Sequence, residues 1–339
     1  MKRRSAIKKI GLATSGGILL SNLLSACEED DGPSDLIDYE GTVVIVGAGA
    51  AGLYAANLLN SRGIDVQILE ASGQVGGRAR SLRGFDDFPI ELGADIVYGN
   101  NSLWSGIINE LGLGLVDTRG DFFDKFVFDN QVRDISELSS LPGFTNAQEF
   151  VNNIAQYRGP SQPISQAIAE GDEALFSQIV EGQIGNRYGS DITRLDYLGT
   201  AEALSLTQSG VGESVLSSNP IQDVLFSRFN AVLDKVQFET VVEQISYGGE
   251  EITLRTSGGD ITADKVIVTV PISILKNGTI NFTPALPPAK INAMSRIGMD
   301  SAIKVFMKFN RNFWGEDTHY IYGGNVVPTY VNVGAGRSE

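Results

Sequence analysis

The chain has 339 residues, 42% of them hydrophobic, with 39 glycines and a formal net charge of −15. That length is enough for two domains with cores of their own. The acidic balance argues against nucleic acid, whose phosphates need Lys and Arg, and is compatible with cationic substrates. No internal repeat stands out, and no apolar run is long enough to span a membrane.

Lys2, Arg3, Arg4, Lys8 and Lys9 make the start of the chain basic. An apolar stretch over residues 10–23 follows, broken by Gly16, Gly17 and Asn22 and too short for a stable anchor. Leu24-Ser25-Ala26-Cys27 resembles a bacterial lipoprotein box, in which the cysteine is lipidated and becomes the new N-terminus. Arg3-Arg4-Ser5-Ala6-Ile7-Lys8 resembles the twin-arginine export signal, with Ala6 where a large apolar residue is usual. These likenesses imply a signal peptide over residues 1–26 and a lipid anchor at Cys27 that holds the protein to a membrane. The expected location is the periplasmic or outer-surface side of a bacterial envelope. Cys27 is the only cysteine of the sequence, so it offers neither an intrachain disulfide nor a multi-cysteine metal site, and no metal is expected. Residues 27–38 read as an acidic tether.

Thr42-Val43-Val44-Ile45-Val46 is a short β-branched run with the pattern of a buried parallel strand. Gly47-Ala48-Gly49-Ala50-Ala51-Gly52 follows at once, then a helical stretch to Ser61 and a second strand, Asp65-Val66-Gln67-Ile68-Leu69, closed by Glu70. This order predicts a dinucleotide-binding turn. Gly47 permits the sharp strand-to-helix turn, Gly49 lets backbone approach a pyrophosphate, and Gly52 lets helix and strand pack closely. Ala50 and Ala51 open the helix, whose free N–H groups and partial positive charge face the phosphates. Glu70 lies at the distance suited to accept hydrogen bonds from a ribose, with Ala71 beside it.

Two further runs follow Glu70. Gly73-Gln74-Val75-Gly76-Gly77-Arg78-Ala79-Arg80 places two glycines and a permanent charge, Arg78, after the second strand. Glu91-Leu92-Gly93-Ala94-Asp95-Ile96-Val97-Tyr98-Gly99 follows. Together these runs resemble the flavin-containing amine oxidase family, of monoamine and polyamine oxidase type. The resemblance implies FAD as cofactor, with Gly76, Gly77, Arg78, Gly93, Ala94 and Asp95 near it. It also implies an α/β fold, in which a doubly wound, Rossmann-like FAD-binding domain joins a second α+β substrate domain. Tyr98 stands where some polyamine oxidases carry a Glu that can meet a cationic amine.

Trp104, Ile107, Ile108 and Leu111 sit at helical spacing, and helix-like pieces follow near residues 147–157, 163–169, 173–180 and 221–232. The middle of the chain therefore reads as a mainly helical insertion. Strands return at Val236, with Val241-Val242-Glu243-Gln244-Ile245 and then a hairpin that turns over Ser257-Gly258-Gly259-Asp260. Ala263-Asp264-Lys265-Val266-Ile267-Val268-Thr269-Val270-Pro271 reads as a buried strand stopped by proline. In the resembling family the valine at position 242 offers its backbone to the adenine.

Ile303-Lys304-Val305-Phe306 puts a lysine in an apolar strand. Such a charge either points outward or faces a cavity or partner, where burial would lower its pKa. The resemblance favours the second and implies that Lys304 holds a water at flavin N5. His319, the only histidine, reads as structural or solvated, since no triad can be built around it.

The expected domains are FAD-binding over 39–100 and 236–290, and substrate-binding over 101–235 and 291–339. The implied reaction is FAD-dependent oxidation of a small-molecule amine, with molecular oxygen giving hydrogen peroxide. The resemblance breaks off after Trp314, because the family's final cofactor segment has no counterpart before Glu339. That pattern predicts a truncated product. Another flavin oxidoreductase, such as a desaturase or protoporphyrinogen oxidase relative, or an inactive truncated lipoprotein, are the alternatives.

Overall fold

The computed structural model describes residues 36–118, 122–169, 174–206, 212–324 and 326–337. The residues read as an export signal, Cys27 and most of those read as an acidic tether lie outside these residues.

The first strand, β1 (Thr42–Val46), leads through the glycine turn into helix α1 (Ala50–Ser61) and then strand β2 (Asp65–Leu69). These bounds are those the sequence pattern predicts. β1 lies between β2 and the strand Lys265–Val268, parallel to both, and the strand Val236–Gln237 adds to the far side of β2. β1 is buried on both faces, which explains its unbroken β-branched sequence. Val43 and Ile45 pack with Leu53 and Ala56 of α1. Val44 and Val46 pack instead with Val242, Ile245 and Leu254. The second face is therefore covered by another sheet, ordered Gly259–Ala263, Ile252–Thr256, Val242–Ser246 and Asn281–Thr283. Helix, parallel sheet and antiparallel-rich sheet form three layers. The α1 side also takes in Ile221, Val224 and Leu225 of the helix Ile221–Arg228.

The middle of the chain is mainly helical, as expected, and it also carries a hairpin that was not expected, Phe123–Phe128 and Gln131–Asp134, which joins Thr318–Tyr322 and Thr329–Val331 in a four-stranded sheet. Glu213–Leu216 is a further strand there, between Val97–Tyr98 and Leu115–Asp117. The turn near residue 258 is tighter than expected, because Gly259 already pairs with Thr256 and only Ser257 and Gly258 form the loop. The strand before Pro271 is the four-residue Lys265–Val268 at the sheet edge, exposed or half-buried along its length rather than buried. Finally, residues 303–306 form no strand, and none of the described strands pairs with them.

Among the described residues, no helix is long and apolar enough to cross a membrane. Helices from residues 142–204 build the remaining cores, one around Phe126 and Phe144 and one around Ile154 and Ile184.

Candidate active site

A cleft of about 3320 Å³ runs along the glycine turn and continues past Tyr98 and Lys304. At its first end the backbone is packed too closely for side chains. A Cβ on Gly52 would run into the Gly47 carbonyl oxygen and lie 2.9 Å from Thr269 Oγ1. Gly76 holds φ +117° while its N–H donates to the Ala48 carbonyl at 2.9 Å. A side chain there would strain the backbone. These contacts lay the Gly76-Gly77 run directly against the first turn, where Gly49 and Gly76 form a parallel bridge.

Gly49 itself faces open space, the nearest atom to an added Cβ being the Gly76 carbonyl oxygen at 4.0 Å. Gly49 is also the N-cap of α1, with no side-chain cap and no acid in the first turn. Ala50 and Ala51 therefore present N–H groups and the positive end of the helix dipole to the cleft. An open pocket between two glycine turns, backed by such a helix end, fits a pyrophosphate.

Glu70 supplies the next contact. Its Oε2 accepts from the Ala48 N–H at 2.8 Å, and its Oε1 accepts from the Ser72 N–H and Oγ at 2.9 and 2.8 Å. Two carboxylate oxygens offer about four acceptor sites, so capacity remains for a ribose hydroxyl. Ala71 and Val242 line the same end, and the Thr240 N–H donates to the Glu70 carbonyl at 2.9 Å, which brings the Val242 strand alongside. The residues present thus fit an adenine dinucleotide along the cleft.

The two motif runs after β2 are joined by backbone. Ala94 N–H donates to the Arg78 carbonyl at 2.9 Å, and a Cβ on Gly93 would collide with that same carbonyl. Arg78 is exposed and lines the cleft. Glu91 is 6% exposed, and its carboxylate accepts from Ser81 Oγ at 2.5 Å and Ile221 N–H at 2.7 Å. Burial raises the Glu91 carboxyl above its ordinary range, while those two hydrogen bonds oppose the rise. Glu91 stands within its motif with no role announced by the sequence. Its burial depends on the packing of residue 221, which no local pattern announces.

Lys304 meets this loop. Its ammonium donates to the Gly93 carbonyl at 2.6 Å, to Asp95 Oδ2 at 2.7 Å and to the Glu91 carbonyl at 3.4 Å. The side chain is 35% exposed. The lysine therefore has a partner, as expected, but the premise of burial is not met. Asp95 spends one carboxylate oxygen on Lys304, so its placement among the cofactor contacts gains a second duty.

Tyr98 lies on the strand after Asp95 and carries the Arg187 guanidinium 4.2 Å from its ring centroid. The sequence reading missed Arg187, which lies in no motif. His319 is buried in the strand Thr318–Tyr322 with its ring 4.0 Å from that of Tyr320, a structural setting. Among the described residues, no group of three or more His, Cys, Asp and Glu is placed to hold a metal ion.

A family model for flavin containing amine oxidoreductase matches residues 50–334. The chain is similar to lysine-specific histone demethylase 2 of Homo sapiens, at 27% identity over 86% of this chain and 38% of that protein. It is also similar to polyamine oxidase 2 of Arabidopsis thaliana, at 27% identity over 80% of this chain and 59% of that protein. Among solved structures it resembles cyclohexylamine oxidase from Brevibacterium oxydans IH-35A, with TM-score 0.64, 20% identity, and coverage of 76% of this chain and 63% of that one. Putrescine oxidase bound to putrescine gives TM-score 0.60, 20% identity, and coverage of 75% and 63%. At such identity these two show the fold. The chain spans from 38% to 59% of the length of the two curated relatives.

Proposed function

The chain belongs to the flavin-containing amine oxidoreductase family, and from that premise we propose that it binds FAD and oxidises a small-molecule amine with molecular oxygen as acceptor. The observation that carries the reading is one continuous cleft. It joins a glycine turn fitted to a dinucleotide with an ammonium fixed on the Glu91–Asp95 loop. When bound, FAD would supply the redox chemistry, accepting hydride from the amine α-carbon and passing the electrons to oxygen to give hydrogen peroxide, while water hydrolyses the imine to a carbonyl compound and ammonia or an amine.

The chain's own residues hold and orient. Gly47, Gly49, Gly52, Ala50 and Ala51 receive the pyrophosphate on the α1 N-terminus. Glu70, Ala71 and Val242 take the adenosine end. Gly76, Gly77, Arg78, Gly93, Ala94 and Asp95 flank the rest. Lys304 is the group assigned to water and oxygen chemistry, its Nζ set by Asp95 and two loop carbonyls. Tyr98 is assigned to the substrate wall. The division into an FAD-binding part (39–100 and 236–290) and a substrate part (101–235 and 291–339) belongs to the same proposal.

Visible flavin bands in the purified chain, and peroxide formed only when an amine is added, are the expected results. In stopped-flow experiments on amine-reduced protein, Lys304→Met is expected to slow reoxidation on the order of tenfold to a hundredfold. Unchanged oxygen reactivity removes Lys304 from the assignment.

Export and lipidation at Cys27 are proposed from the basic segment, apolar stretch and Leu24-Ser25-Ala26-Cys27 alone. Cys27→Ser is expected to abolish labelling of the expressed protein by radioactive palmitate and to free it from membranes. Label retained by that variant excludes Cys27 as the anchor.

A further inference from the structure

The cleft carries a second cation beside Lys304. Arg187 comes from the short helix Asn186–Tyr188, and its guanidinium carbon sits 4.2 Å from the Tyr98 ring centroid. Glu213, the cross-strand partner of Tyr98, forms an ion pair with Arg187 at 3.7 Å. That separation exceeds hydrogen-bond reach. Arg187 and Tyr98 both line the cleft, and Glu213 does not. The guanidinium thus lies over an aromatic face and is charge-balanced from outside the cleft. Among the described residues, no carboxylate accepts a hydrogen bond from it, and its side chain is 28% exposed.

This wall is tied to the Lys304 site from two directions. Tyr98 follows Asp95, the Lys304 partner, by three residues. Gly189 lies against Ala302, where an added Cβ would sit 3.4 Å from the alanine methyl. Asp300 fastens the same loop, pairing with Arg194 at 2.5 Å and accepting a hydrogen bond from Ser190. Tyr188 also lines the cleft, and burial raises its phenol above the ordinary value while the neighbouring Arg187 opposes the rise.

We propose that this wall receives a carboxylate of the substrate, so that the class oxidised is amines that also carry a carboxylate, with Arg187 as the specificity-determining residue. The proposal rests on the amine-oxidising reading of the same cleft. A planar guanidinium matches a carboxylate with two parallel N–H donors, and the Tyr98 ring packs against it. A second ammonium on the substrate, as in a diamine, meets like charge here. A zwitterion has no net charge, so the acidic surface of the protein does not oppose its approach. The carboxylate binds unchanged, and the bond broken remains the C–H beside the amine nitrogen.

Two matched pairs test the class in a peroxide assay: phenethylamine against phenylalanine, and putrescine against 4-aminobutanoate. In at least one pair the acid-bearing member is expected to have kcat/KM higher by about tenfold or more. Equal or better use of the parent amine in both pairs overturns the proposal. Arg187→Gln is expected to erase that preference through KM for the acid-bearing member, with Arg187→Lys intermediate. A fall in kcat common to both members of each pair marks Arg187 as merely structural and also overturns it. Calorimetric titration with benzoate separates this inference from the broader reading, because benzoate is not an amine and needs no turnover. Benzoate binding that weakens about tenfold or more in Arg187→Gln supports the carboxylate site even if no amine is oxidised. No benzoate binding by the unmodified chain, or equal affinity in the two proteins, overturns it.

Discussion

Glu91 shows what a single residue carries in this site. Its carboxyl is buried under Ser81 and Ile221, so the folded protein holds that proton to higher pH than the unfolded chain does. The linkage sign follows. The contribution of Glu91 to stability is full below the ordinary carboxyl value of 4.5 and is lost as pH rises through the raised folded value. Glu91→Gln keeps an acceptor for the Ile221 N–H without the titration. Urea midpoints at pH 5 and pH 8 are therefore expected to differ less in Glu91→Gln than in the unmodified chain; an identical decline in both would remove Glu91 as its cause. At this scale the sequence was legible where backbone sterics or local spacing dictate the residue. Glu70 is the example, since a strand that ends there after a glycine turn places its carboxylate by local geometry. Lys304 and Asp95, 209 positions apart, meet only through folding. Arg187 and Tyr98 are likewise brought together across 89 positions by packing that no periodicity encodes.

At the scale of elements, the β1–α1–β2 unit matches its predicted bounds because each part obeys a local rule. β-branched residues suit a doubly buried strand, alanine-rich sequence suits the helix, and glycine is required in the turn at Gly47 by its positive φ and at Gly52 by the Gly47 carbonyl. Gly52→Ala is expected to cost about 1–3 kcal/mol by overpacking against the Gly47 carbonyl and to reduce flavin content. Chemical unfolding and the flavin absorbance of the purified variant check it; full flavin content at unchanged stability would contradict the contact. The hairpin from Phe123 to Asp134 was missed although its turn was written in the sequence. Asp129 and Asn130 both adopt positive φ, 49° and 57°. Asp and Asn are among the residues that tolerate that conformation, which suits two-residue hairpin turns. Residues 303–306 gave the opposite error. Their apolar character suits a strand, but a strand also needs a partner with free N–H and C=O groups, and among the described residues none pairs with them.

For the molecule as a whole, that segment has a consequence. Ile303, Val305 and Met307 are 89%, 74% and 60% exposed, and Phe313 extends the same apolar run along the cleft. Exposed apolar surface of this kind drives association or dye binding. The double substitution Val305→Ser and Met307→Ser is expected to lower both light scattering and the fluorescence of a hydrophobic dye in the purified chain. Equal signals would show that the strip is covered in solution. The sequence by itself determined the family, the glycine turn fitted to a dinucleotide and the double burial of β1. Each of these rests on short-range constraints: a φ only glycine tolerates, a carbonyl that excludes a Cβ, or a strand buried on both faces. Only the tertiary structure decided that a sheet covers the second face of β1, that Asp95 holds Lys304, and that Arg187 lies on Tyr98. Those contacts join distant segments through packing and charge, and their energies depend on which surfaces meet after the chain has closed.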